Sequence, residues 1–534
     1  MLPADFNPAI EQDFIDKRID RELSISILER YNRGEFDRFT LPKATGFPQI
    51  DGERIIDTTK NLTYSLPYKT AVERVEGLGG KALIDATGLR NGTTVTFSEK
   101  ELRRLGLQLL PFTAYGILNG GSATSYVDEK KNLNFNETLF RMNRSLFKTY
   151  AFKSKGRPKG VTAGFIQPDG GEGPSFLELK MRSLLIQALR YMQHAGLIDN
   201  TKNGAVNDTS QADYLSHISR PSPLPLFQMS SVYNTELLQD TYIKYAESEM
   251  LRDLIDFTGI QVTDVLTGIQ PLITAYTHSS EGTPKGIYTH AWGKENNLLP
   301  LPGGHGQNFM ALRDIYLQLY KEGYRYAYLG NVDNLGNSAD PKSIALTALS
   351  GCNGSFEFSF KTPVDVKGGV LIKDSEGRLN AVDIGPAVSK EEVAEAEQTG
   401  KPILFNCATG LFNLSYLAEK IDSIIQNLPT RFSDQDKDAG KYSQAEQITW
   451  EIIGMMEDPL ILGVDKTKRF LASKLFLENL LTSGIGIDSP EYPSELRPLA
   501  VSLNKGLENL LHDTYGMKFE RGKWIPKSIE ELLE

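Results

Sequence analysis

The chain has 534 residues, 40% of them hydrophobic, and a formal net charge of -10. That composition describes a globular protein with a sizeable core and excludes disordered and fibrous classes. The acidic balance argues against nucleic acid as a partner, while leaving room for a local basic pocket that holds phosphates. Two cysteines, Cys352 and Cys407, are too few for a disulfide framework or a Cys-rich zinc site and fit a reducing compartment. The opening MLPADFNPAIEQDF lacks an apolar run of signal-peptide length, and no stretch reaches about 18 uninterrupted apolar residues. The expectation is a cytoplasmic protein with no membrane segment.

Residues 1–110 read as an N-terminal accessory region covering one side of a core. They begin with one charged helical pattern from Ile10 to Tyr31 and pass through Pro- and Gly-punctuated segments. SEKELRRLGLQLL then has capping-box spacing between Ser98 and Glu101. The core, 111–480, opens on a short apolar strand at 115–118 that runs into Asn119-Gly120-Gly121-Ser122. Such a Gly-Gly turn lets a phosphate or a base approach the backbone closely, and it serves equally well as a simple tight turn. It is neither a P-loop nor a dinucleotide fingerprint. The basic loop 153–160 suits a polyphosphate, or a solvated surface. An amphipathic helix follows at 175–195, then strands at 224–229 and 271–277 with a helix from Thr235 between them.

The stretch 302–336 organises the rest. A Gly-rich turn with one histidine, Pro302-Gly303-Gly304-His305-Gly306, opens a helix with apolar positions at Ala311, Ile315 and Leu319, which Gly323 stops. The apolar run 326–329 reads as a buried parallel strand, ending in Asn331-Val332-Asp333-Asn334-Leu335-Gly336. In open α/β sheets ligands sit beyond the carboxyl ends of strands, where Asp333 would meet a hard cation and phosphates. An Asp-Asn pair also caps loops for backbone reasons alone. Beyond it, 356–360, 370–372, 379–384 and 403–405 read as strands of an antiparallel extension, and 411–428, 444–456 and 471–481 as helices. The alternation of strands and helices predicts a doubly wound, mostly parallel α/β sheet with N-terminal and C-terminal additions. Residues 481–534 read as a tail of loop and short helices.

From 115 to 480 the ordered motifs resemble those of the eukaryotic-type UTP:sugar-1-phosphate uridylyltransferases, the UDP-glucose and UDP-sugar pyrophosphorylases. Leu118 to Gly121 is similar to the family's LNGG loop. Gly156-Arg157-Pro158-Lys159 is similar to its G-P-K element, with an insertion between the two. Pro302 to Gly306 resembles PPGHG, and Asn331 to Gly336 resembles NIDNLG. Glu357, Lys361-Thr362 and Asp365-Val366-Lys367-Gly368-Gly369 match EVVxKTxxDVKGG at identical spacing. Phe405-Asn406 resembles the FNTNN turn, and Arg469 to Lys474 resembles RFLPVK. Ser122-Ala123 replaces the usual Leu-Gly, Ala408 replaces a second sugar-side asparagine, and the uracil-side glutamine has no assigned position. The family's C-terminal β-helix is missing.

The resemblance implies a Rossmann-like nucleotidyltransferase core that converts UTP and a sugar 1-phosphate, glucose 1-phosphate first, to a UDP-sugar and pyrophosphate. It puts Mg²⁺ on Asp333, the UTP phosphates on Lys159, and the transferring or sugar phosphate on Lys474. It sets Asn119, Gly120, Gly121, Gly304 and His305 on the nucleotide, and Asn331, Glu357 and Asn406 on sugar hydroxyls. Lys361 and Lys367 serve equally as salt-bridge partners. The alternatives are an N-acetylhexosamine 1-phosphate or broad-range enzyme, and a catalytically silent nucleotide-sugar-binding protein. Without the β-helix, and with a charged tail whose Leu499, Leu503, Leu507, Leu510 and Leu511 form one helical face, a monomer or weak dimer is expected.

Overall fold

The computed structural model describes residues 6–198, 224–362, 365 and 368–534. Short apolar runs bounded by turn residues become the main sheet. Its strands are β1 (Ile55–Asp57), β2 (Thr113–Leu118), β3 (Leu226–Ser231), β4 (Leu266–Gln270), β5 (Tyr326–Asn331), β6 (Gly354–Phe360), β7 (Leu404–Asn413) and β8 (Pro459–Val464). They lie in the order β1-β8-β6-β7-β5-β2-β3-β4. Every neighbouring pair is parallel except the two that β7 makes with β5 and β6. The 369–374 and 379–383 strands form the antiparallel extension, joined to β7 where Val370 faces Phe405.

Alternation along the strands separates two cores. Tyr115, Ile117, Tyr326 and Tyr328 enter the one that contains helix α1 (Phe176–His194). Ala114, Leu118, Ala327 and Leu329 enter the other, with Tyr316, Leu319 and Ile421. Leu118 stands opposite Asn331 in register, so the turns after β2 and β5 leave the sheet at one level. This is the carboxyl edge, where an open α/β sheet holds its ligands. Among the described residues, no helix is long and apolar enough to cross a membrane.

Several sequence expectations are corrected. The pattern from Ile10 to Tyr31 is two helices, Pro8–Asp16 and Arg21–Asn32, separated near Arg18, whose φ is 52°. The helix expected after the histidine turn is also two, Asn308–Ala311 and Arg313–Lys321. Its buried stripe is Leu312, Tyr316 and Leu319 rather than the 311/315/319 series. The 271–277 run does not enter the main sheet: Leu272–Thr274 and Tyr276–Thr277 pair with 300–302 and 442–443 instead. Residues 411–413 complete β7, and the helix starts only at Leu414, capped by Asn413. The helix expected at 444–456 is a hairpin arm, Gly440–Gln447, followed by a tight 3₁₀ turn at Thr449–Met455. Apolar residues at 445, 448, 450, 452 and 453 satisfy either period, and pairing with Thr430–Lys437 decides for a strand.

The tail is more ordered than its sequence suggests. Helix α2 (Arg497–Asp513) and a hairpin, Met517–Glu520 with Lys523–Pro526, are its main elements. Leu507, Leu510 and Leu511 are buried in the core around α1. Arg182 of α1 binds the tail in place: its guanidinium donates to the carbonyls of Tyr515 (2.7 Å), Gly516 (3.0 Å) and Lys527 (3.0 Å), and to that of Met250 (2.7 Å). Replacing it by leucine removes the guanidinium donor from the carbonyls of Tyr515, Lys527 and Met250, while that of Gly516 keeps the Lys527 N–H (2.9 Å). Arg182→Leu should therefore cost more than about 3 kcal/mol in urea unfolding and expose the tail to limited proteolysis. A change below about 0.5 kcal/mol would show that the apolar face alone fastens it.

Candidate functional site

The turn after β5 carries Asp333, and its shape is imposed from three sides. Leu335 N–H donates to Leu471 O (2.9 Å), and Asn334 Nδ2 donates to Arg469 O (3.0 Å). A Cβ on Gly336 would lie 2.2 Å from the Arg469 carbonyl carbon, so only glycine permits this approach. From below, the fully buried Lys180 of α1 donates to the carbonyls of Asn334 and Asn337. Tyr515 of the tail donates to that of Leu335. These contacts bring Lys474, at the end of the 469–474 segment, to the same opening as Asp333. Glu478 accepts from the Lys474 and Leu475 N–H groups (2.7 and 2.8 Å) and fixes the bend there.

Two cavities meet at this point. Asn331, Asp333, His305, Lys474 and Glu446 line both. The smaller, of about 410 Å³, continues along Gly120, Gly121, Lys159, Gln270 and Gly304. The larger, of about 790 Å³, continues past Gly369, Asn406, Ala408, Trp450 and Glu451.

In the smaller cavity two loops are zipped together by their backbones: Lys159 N–H donates to Gly121 O (3.0 Å) and Ala123 N–H to Arg157 O (3.0 Å). Asn119 is wholly buried and lines neither cavity. It clamps these loops, accepting from Gly160 N–H (3.2 Å) and donating to Gln228 Oε1 (3.1 Å). Lys159 is only 7% exposed. Its Nζ lies 3.4 Å from the centre of the Tyr126 ring and has no hydrogen-bond partner among the described residues. Burial pushes its pKa down to about 7, while Asp333 and Glu478 pull it back up. A buried cation without an anion in the protein suits an anionic ligand.

His305 sits between the cavities, placed by Gly304, whose φ of 81° a side chain would resist. Thr449 N–H donates to His305 Nδ1 (3.1 Å), so Nε2 carries the proton. Burial and, secondarily, Lys474 push its pKa down to about 4. The imidazole is neutral at pH 7 and acts as a donor.

The sequence motif does not bring every expected residue to the cavities. Glu357 lines neither; it is 2% exposed, and its two oxygens accept from Arg469 Nε (2.9 Å) and Nη2 (2.5 Å). Lys361 pairs with Glu397 (2.5 Å), and Lys367 lies outside the described residues. Sequence reasoning missed Gln270, Glu446, Trp450 and Glu451. Gln270 ends β4, one residue before the stretch read as a strand. It donates to Gly304 O (2.8 Å) and to Gln307 Oε1 (2.9 Å), with its own Oε1 beside Gly120. The other three fall in the segment read as a helix.

The family model described as UTP--glucose-1-phosphate uridylyltransferase matches residues 287–482. Curated proteins of that name resemble the chain over part of their length. The one from Encephalitozoon cuniculi is 30% identical over 23% of this chain and 25% of its own. Those from Hordeum vulgare (29%; 34% and 38%) and Pyrus pyrifolia (28%; 44% and 49%) cover more. The chain thus spans between a quarter and a half of these relatives. Two solved structures share the fold. One, a UDP-glucose phosphorylase from Trypanosoma brucei, has a TM-score of 0.50 and 14% identity, over 97% of this chain and 81% of that one. The other is a point mutant of the UDP-glucose pyrophosphorylase from Leishmania major, with a TM-score of 0.51 and 15% identity, over 89% and 77%. The α/β core accordingly has the fold of these two structures. Within that fold, the similarity to the UTP--glucose-1-phosphate uridylyltransferase family is carried by residues 287–482.

The buried ammonium makes a physical test available without any substrate. An unfolded lysine titrates near about 10.4, so between about 7 and that value the unfolded chain holds a proton that the folded one lacks. Stability therefore rises with pH across this window, and the burial cost is fully present below it. Lys159→Met should raise Tm most near about pH 6, with the gain fading toward about pH 10. A pH-independent difference in thermal melts would show that the amine is charged and solvated in the fold.

Proposed function

We propose that the chain is a UTP:sugar-1-phosphate uridylyltransferase, with glucose 1-phosphate as its first substrate. The observation that carries this reading is the meeting of two cavities at Asp333, His305 and Lys474. One is walled by glycine backbone with a buried lysine that has no partner among the described residues; the other carries Asn331, Asn406 and Glu451 and is large enough for a hexose. The smaller cavity takes UTP, its base toward Gln270 and Gly120 and its phosphates toward Lys159. The larger takes the sugar, with Asn331 and Asn406 toward its hydroxyls, and the two phosphates meet at the junction.

The reaction joins a phosphate oxygen of the sugar 1-phosphate to the α-phosphorus of UTP and breaks the bond from that phosphorus to the bridging oxygen. Pyrophosphate leaves with the electron pair. The nucleophile is already ionised at neutral pH, so the protein's work is positioning and charge neutralisation. Lys159 and Lys474 supply cations from either side, and neutral His305 donates from Nε2. Asn119 holds the two phosphate-side loops, and Glu357 acts through Arg469 on the Asp333 turn.

A divalent cation fits the site. No described residue donates a hydrogen bond to the Asp333 carboxylate, and the described residues contain no cluster of three His, Cys, Asp or Glu side chains. One carboxylate plus substrate phosphates is the usual way Mg²⁺ is held. When bound, Mg²⁺ supplies neutralisation of phosphate charge.

Asp333→Ala should abolish pyrophosphate release while the circular dichroism spectrum stays unchanged; full turnover in Mg²⁺ would remove Asp333 from the chemistry. Lys159→Ala and Lys474→Ala should each lower kcat by about 10²- to 10³-fold with UTP. An effect confined to KM would assign them to uniform ground-state binding.

On the same reading the chain works in the cytoplasm as a monomer or weak dimer. α2 buries Leu507, Leu510 and Leu511 in its own core, leaving little apolar area for the roughly 1,200 Å² or more that lasting interfaces bury. Light scattering at micromolar concentration should give the monomer mass, with a hexamer or octamer as the contrary result.

A further inference from the structure

The larger cavity holds a carboxylate that the family motifs do not contain. Glu451 follows Trp450, whose ring lies 6.3 Å from that of His305, so the pair stands next to the phosphate junction. Arg431 approaches one oxygen of Glu451, Oε1, with both Nε (2.7 Å) and Nη2 (2.6 Å). The other oxygen, Oε2, is buried and has no partner among the described residues. Burial raises the carboxyl's pKa and Arg431 opposes that rise; Asp383 adds to it. A buried acceptor without a donor is costly in the free protein, and a ligand hydroxyl removes the cost.

Glu357, Asn406 and Ala408, at the positions the motifs put on the sugar side, do not offer such an acceptor. Glu357 has both oxygens engaged by Arg469. Asn406 Oδ1 accepts from Ala408 N–H (2.8 Å), which leaves its amide group as a donor. Ala408, with φ of 50°, offers only a methyl group.

We propose that Glu451 is a specificity-determining residue: its free Oε2 accepts a hydrogen bond from one ring hydroxyl of the sugar 1-phosphate, while Arg431 holds the carboxylate in place. The inference rests on the function proposed above and names the substrate class, the 1-phosphate of a hexose that carries that hydroxyl. A sugar lacking it leaves a buried oxygen unpaired in the complex, and sites built on such a bond discriminate far more strongly than apolar ones.

The test compares kcat/KM for glucose 1-phosphate with its 2-, 3-, 4- and 6-deoxy analogues, using the full chain and UTP. The wild type should reject one deoxy position by about 100-fold or more. In Glu451→Ala that ratio should fall to within about threefold, with the ratios at the other positions unmoved. A merely structural role would lower all rates together. Should the single change strand the guanidinium and unfold the chain, the paired variant Glu451→Leu/Arg431→Met removes both charges and gives the same readout. Turnover with the position-specific ratio unchanged overturns this inference alone. A wild type inactive with UTP and every sugar 1-phosphate overturns the proposed function as well.

Discussion

The Asp333 turn depends on donors that its own sequence does not contain. A turn at the edge of a buried sheet exposes carbonyls on its inner side, and each needs a partner away from water. Lys180 satisfies those of Asn334 and Asn337, Tyr515 that of Leu335, and Tyr115 again that of Asn337. These donors come from α1, the tail and β2. Three remote elements converge under the turn and hold it, which ties the carboxyl edge of the sheet to the C-terminal tail.

Charge is distributed unevenly around that turn. Arg469 is buried against a carboxylate, Glu357, whose charge raises the Arg469 pKa against the pull of burial. Lys180 is buried against carbonyls only, and desolvation lowers its pKa well below the usual value. Lys159 has neither carbonyl nor carboxylate within hydrogen-bond reach among the described residues. The three cations thus form a series from fully compensated to uncompensated, and the uncompensated one is the one that faces a cavity. That ordering separates the two cations that have partners within the fold from the one that has none, and the last suits an anionic ligand.

Much of the candidate site was readable along the chain because its backbone shapes are local. Gly120-Gly121, Gly304-His305-Gly306 and Asn331 to Gly336 are short turns that need glycine or Asn/Asp at fixed positions, and such needs leave marks in sequence. The buried strand before Asp333 and the capping box at Ser98 are local for the same reason. The misread 444–456 segment shows the opposite case. Its apolar residues fit a helix or a strand, and only the pairing of Thr430 with Gln447 through Lys437 with Gly440 chose.

The sequence by itself therefore determined the order of elements along the core and the turns at which Asp333, His305 and the glycine loops stand, since those rest on residue-level backbone preferences. Which of two glutamates, Glu357 or Glu451, lines the larger cavity was decided only in three dimensions. Glu357 carries the matching motif, yet Arg469, 112 residues away along the chain, closes both its oxygens. Glu451 carries no motif, and Arg431 occupies only one of its oxygens, leaving the other buried without a partner among the described residues. Long-range ion pairing has no period and no fixed spacing, so the chain could place both glutamates without revealing which one remained free.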